Sequence, residues 1–358
     1  MLDGLDAVHW AGLKHAHGDA TDVPGQLRDL RSLDPEARRQ ARWALHSNIF
    51  HQGLRFEATA PAVPFLLELL ADPATPERAE LIDLLVTIAI GYSELWLPDG
   101  LSIQELSPGP ARAAYDEVRK GLPLFRALAA ESDEALRTAA AYSLAWFPDD
   151  AAGSVPVLAE VAAVSRAEGE GAAATALVAL GLLGVAPDGD ALGDARPLVR
   201  LGAAIAAVRV AGHDVGRDAV EELLVWSRTM TYPDQRFPFL GGDTGGYAGL
   251  ALRQVGPRHE EITFTGLLDR LPDVRGGGAL QVVTEALCLA FPDGPAPDDA
   301  AFDRLDARQR ALVRALADSP ETWQVDGRDF GNLSRLVGYY RLPTDNQTMR
   351  EYAGLSAR

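Results

Sequence analysis

Small and apolar residues recur along the chain at offsets of three, six and seven, the spacing of one buried helix face rather than of a strand. The unit reads Arg or Gly, two residues, a small or apolar residue, two more, then two small or apolar residues. It occurs at Arg38-x-x-Ala41-x-x-Ala44-Leu45, Arg78-x-x-Leu81-x-x-Leu84-Leu85 and Arg137-x-x-Ala140-x-x-Ser143-Leu144. It returns at Gly171-x-x-Ala174-x-x-Leu177-Val178, Arg200-x-x-Ala203-x-x-Ala206-Ala207 and Gly245-x-x-Ala248-x-x-Ala251-Leu252, and in degenerate form at Arg275-x-x-Gly278-x-x-Gln281-Val282. Successive starts lie 40, 59, 34, 29, 45 and 30 residues apart. Most of these spacings fit a repeat of two helices. The two long ones point to insertions, at 91–112 and 229–249.

A further helical pattern precedes most copies, as in "PAVPFLLELLAD", "GLPLFRALAAESD", "SVPVLAEVAAVS" and "DAVEELLVWSR". Asp34, Asp133 and Asp273 stand where an N-cap would accept hydrogen bonds from the free amides of a first turn. Strand patterning is nearly absent, and 261–268 is the one candidate. The predicted fold is therefore all-α: an α-solenoid of about seven to eight helix pairs over 34–292. Repeat stacks need capped ends. Residues 1–33 are expected to form a helical N-terminal cap and first helix, and 293–358 a helical C-terminal cap.

"SDEALRTAAAYSLAWF" (132–147) and "DARPLVRLGAAIAAVRVAG" (194–212) resemble HEAT repeats of the phycobilisome-lyase-like type, over roughly residues 24–292. The resemblance implies an α-solenoid and a bacterial member of that family. It is weak for function, since the family holds scaffolds, chromophore lyases and DNA glycosylases. It also implies that Arg38, Arg78, Arg137, Arg200 and Arg275 are structural repeat positions, with an Asp–Arg pair tying neighbouring repeats.

Composition changes the picture in three ways. Aromatic residues are only 7% of the chain, so Ala, Leu and Val must fill the core, which suits closely packed helices. The one cysteine, Cys288, excludes a disulfide framework, and in "EALCLAF" it is expected to be a small buried hydrophobe. The net charge of −18 lies wholly within 61–300, because 1–60 sum to −1 and 301–358 to +1. Such a body repels phosphate backbones and anionic lipid; the charge either serves solubility or attracts a basic protein. With no run of about 18 apolar residues, a cytoplasmic location is expected.

Candidate chemistry is sparse. His9, His15, His17, His46 and His51 fall within the first 51 residues. His15, His17, His46 and His51 are the candidates for a metal site, but His46 and His51 are five apart and share no helix face as an i, i+4 pair would. The alternative is that "HSNIFHQG" ends a helix running from Pro35 to Gln52, stopped by Gly53. "DGDALGDARPLV" mimics a calcium loop but has Leu192 and Val199 where oxygen ligands belong. "GGDTGGYAG" (241–249) lacks the Lys-Ser/Thr of a phosphate loop. No cofactor motif and no catalytic constellation is found.

The insertions carry Trp96 and Leu97 in the first, and Tyr232, Phe237, Phe239 and Tyr247 in the second. Such loops either dock on the helices or meet a partner. The reading that follows is a non-enzymatic scaffold or regulator, in one version immunity-type, holding a basic protein on an acidic surface. The alternative is an enzyme or a small-molecule- or metal-binding HEAT protein, lyase-like or DNA glycosylase-like. For the latter, Arg38, Arg39, Arg42 and Arg55 beside Trp43 would be the basic patch.

Overall fold

A computed structural model describes residues 2–164, 169–227, 233–298 and 300–355, without the side chains of 164, 277 and 281. Helix accounts for 65% of residues and strand for 4%, which makes the class all-α. The chain divides into two compact units. One comprises Met1–Pro187 with Gln235–Phe239, the other Asp188–Asp234 with Leu240–Arg358.

The first unit opens with a hairpin of β1 (Lys14–His15) and β2 (Gly18–Asp19), followed by α1 (Val23–Asp29) and α2 (Pro35–Asn48). Asp34 caps α2 through the Glu36 amide, as the sequence predicts. The helix stops at Asn48, however, not at Gln52. Phe50–His51 is β3 and Leu54–Arg55 is β4, paired across a two-residue turn. Gln52 and Gly53 both have positive φ, 50° and 82°. That is the geometry whose twist matches a tight hairpin, and glycine meets it without strain. "HSNIFHQG" is thus a helix end followed by half a hairpin.

Beyond it come α3 (Thr59–Ala71), α4 (Arg78–Ile90), α5 (Pro110–Arg119), α6 (Leu122–Leu128), α7 (Glu134–Leu144), α8 (Ala151–Val164) and α9 (Glu170–Leu182). Asp133 caps α7 through the Leu136 amide. Helices α4, α7 and α9 pack side by side, with α8 against α9 and α6 against α7. The run 171–182 of α9 is buried on every side. Its Ala and Gly content permits this, because small side chains let neighbouring backbones come close. Gly171 stands where other copies carry Arg, and a Cβ there would sit 2.7 Å from the Arg236 carbonyl oxygen. The departure from the repeat therefore makes room for the 235–239 segment.

The second unit holds α10 (Pro197–Ala211), α11 (Arg217–Ser227), α12 (Thr244–Leu252), α13 (Glu260–Arg270), α14 (Gly276–Ala290) and α15 (Ala307–Asp318). A third hairpin, β5 (Gln324–Val325) and β6 (Arg328–Asp329), leads into α16 (Gly331–Tyr339) and α17 (Asn346–Tyr352). Its turn, Asp326-Gly327, again has both φ positive. Helices α10, α12, α14 and α16 touch in one row, and α11, α13, α15 and α17 in another. The expected strand at 261–268 is part of α13, because its apolar residues Phe264 and Leu267 follow helical spacing. Asp273 is not an N-cap: it ends a short 3-10 turn, and α14 begins three residues later behind Arg275. Cys288 is exposed rather than buried, with its Sγ 3.9 Å from the Tyr340 hydroxyl.

Three repeat arginines share one contact. Arg38, Arg137 and Arg200 each donate through Nη1 to the carbonyl six residues earlier, at 2.8, 3.4 and 2.9 Å. Arg78 reaches back to the Leu70 carbonyl instead, and Arg275 pairs with Glu321. The carboxylates that meet Arg38 and Arg200 are Glu77 and Glu222, so the expected Asp–Arg tie is corrected to a carbonyl and a glutamate. The planar guanidinium can serve both at once.

Candidate functional site

The first insertion lies down on the protein. Trp96 is half-buried and its Nε1 donates to the Ile90 carbonyl at 2.8 Å, while Leu97 is buried. Tyr92 and Leu95 from the same insertion are the exposed apolar residues. In the second insertion Phe237, Phe239 and Tyr247 have no exposed surface. Phe239 meets Tyr142 edge-on at 5.0 Å and Trp146 at 6.0 Å, with Phe237 at 5.5 Å, in one aromatic cluster of the first unit. Edge-on and tilted pairs at such distances suit the ring quadrupoles. Tyr232 lies outside the described residues. Of the aromatics expected at a partner surface, those described are packed against or into the body of the protein.

The N-terminal histidines do gather. The His17 ring lies 6.2 Å from that of His15 and 5.2 Å from that of His51. His15 is buried; its Nδ1 accepts from the His17 amide at 3.0 Å and its Nε2 lies 2.9 Å from Asp22 Oδ1. Both ring nitrogens are engaged, which assigns the proton to Nε2 and leaves no lone pair for a metal. Asp22 Oδ2 also receives the amides of Gln26 and Asn48, each at 2.8 Å, so the group ties the first hairpin to the end of α2. His46 packs on Phe50, and burial pushes its pKa down. Among the described residues no group of three or more His, Cys, Asp or Glu is placed to hold a metal ion.

A different site emerges in the second unit. A small pocket, open to solvent, is formed by the end of α11, the first two turns of α12, the end of α13 and residues 278–285 of α14. Four glycines line it, Gly245, Gly246 and Gly249 of α12 and Gly278 of α14. Two charged side chains enter it: Arg270 and Glu285, each 5% exposed. Asp243, also on the wall, caps α12 by accepting from the Gly246 amide at 2.7 Å.

The two buried charges are held differently. Glu285 is paired with Arg253 from α12, and both contacts fall on Oε1. Burial still pushes its carboxyl above the usual range, against the pull of Arg253. Arg270 has no carboxylate within salt-bridge reach among the described residues. Its Nη1 lies 3.5 Å from the Trp226 carbonyl, and its Nε has no hydrogen-bond partner. Burial lowers its pKa to about 10, with Asp243 and Asp273 acting in the other direction. At neutral pH the pocket thus holds a cation whose bonding is unfinished, which costs free energy in a low-dielectric site.

Neither Arg270 nor Glu285 stands out in the sequence. One ends α13 and the other sits in the middle of α14, and only the packing of α12 to α14 joins them. The available signal was the glycine spacing: Gly245, Gly246 and Gly249 on one helix and Gly278 on another leave a gap where side chains would otherwise interlock. Comparison with protein-family models, with characterised proteins and with solved structures found no match.

Proposed function

We propose that the chain is a non-enzymatic interaction scaffold, a cytoplasmic bacterial α-solenoid of HEAT-like helix pairs whose acidic surface takes a basic protein partner. The two rows of helices in the second unit and the shared contact of Arg38, Arg137 and Arg200 support the repeat reading. The observation that carries the partner reading is the state of the charges. All of the net −18 lies in 61–300, and there Arg112, Arg119, Arg196, Arg200, Arg217 and Arg253 are each tied to an acid of the same unit. Among the described residues, exposed acids such as Glu94, Glu131 and Glu160 carry no ion pair. Acidic groups in excess, with these six cations spent internally, attract a basic surface over about a Debye length. A protein that occludes a basic toxin or enzyme is the immunity-type form of this reading.

The test is capture from host lysate on the immobilised chain at low and high salt, followed by binding of the purified partner. The expected result is one dominant basic protein, released by salt and weakened about tenfold or more when Glu94, Glu131 and Glu160 are replaced together by Arg. A partner whose binding ignores both salt and these charges overturns the acidic-surface reading.

A further inference from the structure

We propose that the pocket formed by α12, α13 and α14 binds a small carboxylate that carries a hydrogen-bond donor on the adjacent carbon, with the carboxylate on Arg270 and the donor towards Glu285. This site is independent of the partner surface above.

Arg270 supplies the first half of the argument. It is 5% exposed, lines the pocket, and has an Nε without a partner. A guanidinium presents parallel N–H groups in a planar fork, which two carboxylate oxygens match. Two helix starts lie beside it. Gly245 belongs to the first turn of α12 and Gly278 to the first turn of α14, where amides have no partner within the helix and the helix dipole favours an anion. One helix start alone would mean little. Two starts meeting a buried, partly unbonded arginine make an anion site.

Glu285 and Asp243 narrow the ligand. Both carboxyl groups line the same small space, so a phosphate dianion would be repelled where a monoanion is not. The contacts between Arg253 and Glu285 both fall on Oε1, and Oε2 of Glu285 makes no hydrogen bond among the described residues. A hydroxyl or ammonium next to the ligand carboxylate would give it one. The pocket holds only a few heavy atoms, so 2-hydroxy and 2-amino acids with short side chains fit. The glycine walls are part of this selection: a Cβ added at Gly278 meets no atom within 4 Å, so it would project into open space rather than into packing.

The experiment is thermal unfolding and calorimetric titration of the full chain with four probes: glycolate, glycine, acetate and inorganic phosphate. Saturable stabilisation by glycolate or glycine is expected, with acetate weaker because it lacks the donor, and phosphate weaker still. Arg270→Met removes the fork, and Gly278→Leu fills the pocket without touching an ion pair. Each is expected to weaken the best probe about tenfold or more. Should Gly278→Leu not fold, the folded Arg270→Met variant decides alone. The proposal is overturned if no probe binds the wild-type chain up to about 50 mM, if the folded Arg270→Met variant binds as well as wild type, or if phosphate binds more tightly than glycolate and glycine.

Discussion

The aromatic cluster of the first unit and the Arg270 pocket of the second both hold buried side chains and are both built in part from the second insertion. In the cluster, Trp146, Tyr142, Phe237 and Phe239 fill their space with rings at edge-on and tilted angles. In the pocket, glycines leave space open and two charges face it, one of them short of partners. Dispersion and apolar burial reward the first arrangement. The second costs stability, and such a cost persists in a fold where an interaction made by the site offsets it. Buried aromatics therefore mark where the insertion is structural, and buried charges mark where the chain is poised to bind.

The largest test of that contrast is Trp146→Ala. Trp146 is fully buried, and the loss should be about 3–5 kcal/mol, read as a shift in the urea midpoint with little change in slope. Phe239→Ala should fall in the same range, because it opens the same cluster. A loss below about 1 kcal/mol in either would mean that the cluster relaxes and does not hold the insertion.

Acid titration separates the first unit's ion-pair seam from the second unit's pocket by sign. Hydrogen bonds from Arg38 and Arg42, with their charges, hold Glu77 below its ordinary pKa. A depressed folded pKa gives stability that is present above the unfolded value near 4.5 and is lost as pH falls through the folded one. Glu285 is raised by burial, so its contribution is present below the unfolded pKa and is lost as pH rises through the folded one. Urea unfolding across pH 4 to 8 should show wild type gaining on Glu77→Gln as pH rises and losing to Glu285→Gln. The Glu77 gap at neutral pH should be about 1–3 kcal/mol, as for a hydrogen-bonded charge. Parallel profiles for the two variants would remove the distinction between seam and pocket.

Arg270→Met should leave the ligand-free chain as stable as wild type or about 1–2 kcal/mol more stable, since it exchanges an incompletely bonded buried cation for an apolar chain of similar length. A loss of more than about 2 kcal/mol would make Arg270 a structural residue held by the field of Asp243 and Asp273. The same variant then reports on both ideas: stability tells whether the charge serves the fold, and probe binding tells whether it serves a ligand.

Much of the helical pattern was legible in the sequence, because offsets of three, six and seven require no knowledge of what a helix packs against. Asp34 and Asp133 were legible as caps for the same local reason, whereas Asp273 failed because a short 3-10 turn intervenes before α14. The hairpins escaped because strands of two residues show no alternation. Asp326-Gly327 is nonetheless the dipeptide that favours such a turn. Cys288 sits in an apolar run yet is exposed, since its neighbours on α14 face inward at helical spacing and it does not. The pocket was the least legible part. Arg270 and Glu285 are fifteen residues apart, and nothing local to either says that three helices leave a gap there.

The two glycine-turn hairpins offer the finest comparison of the units. Gly53 has φ +82° and Gly327 has φ +71°, and a Cβ would find only the Tyr92 ring at 3.6 Å at the first and nothing within 4 Å at the second. Gly53→Ala and Gly327→Ala should therefore each cost only the left-handed backbone penalty, about 1–2 kcal/mol. Urea unfolding of the two variants, compared at one pH, should give equal losses. A larger loss at Gly53 would mean that the Tyr92 ring cannot yield, and that the hairpin between α2 and α3 is clamped by the first insertion. A larger loss at Gly327 has no steric source at that position, so it would place the extra cost in the docking of β5 and β6 ahead of α16.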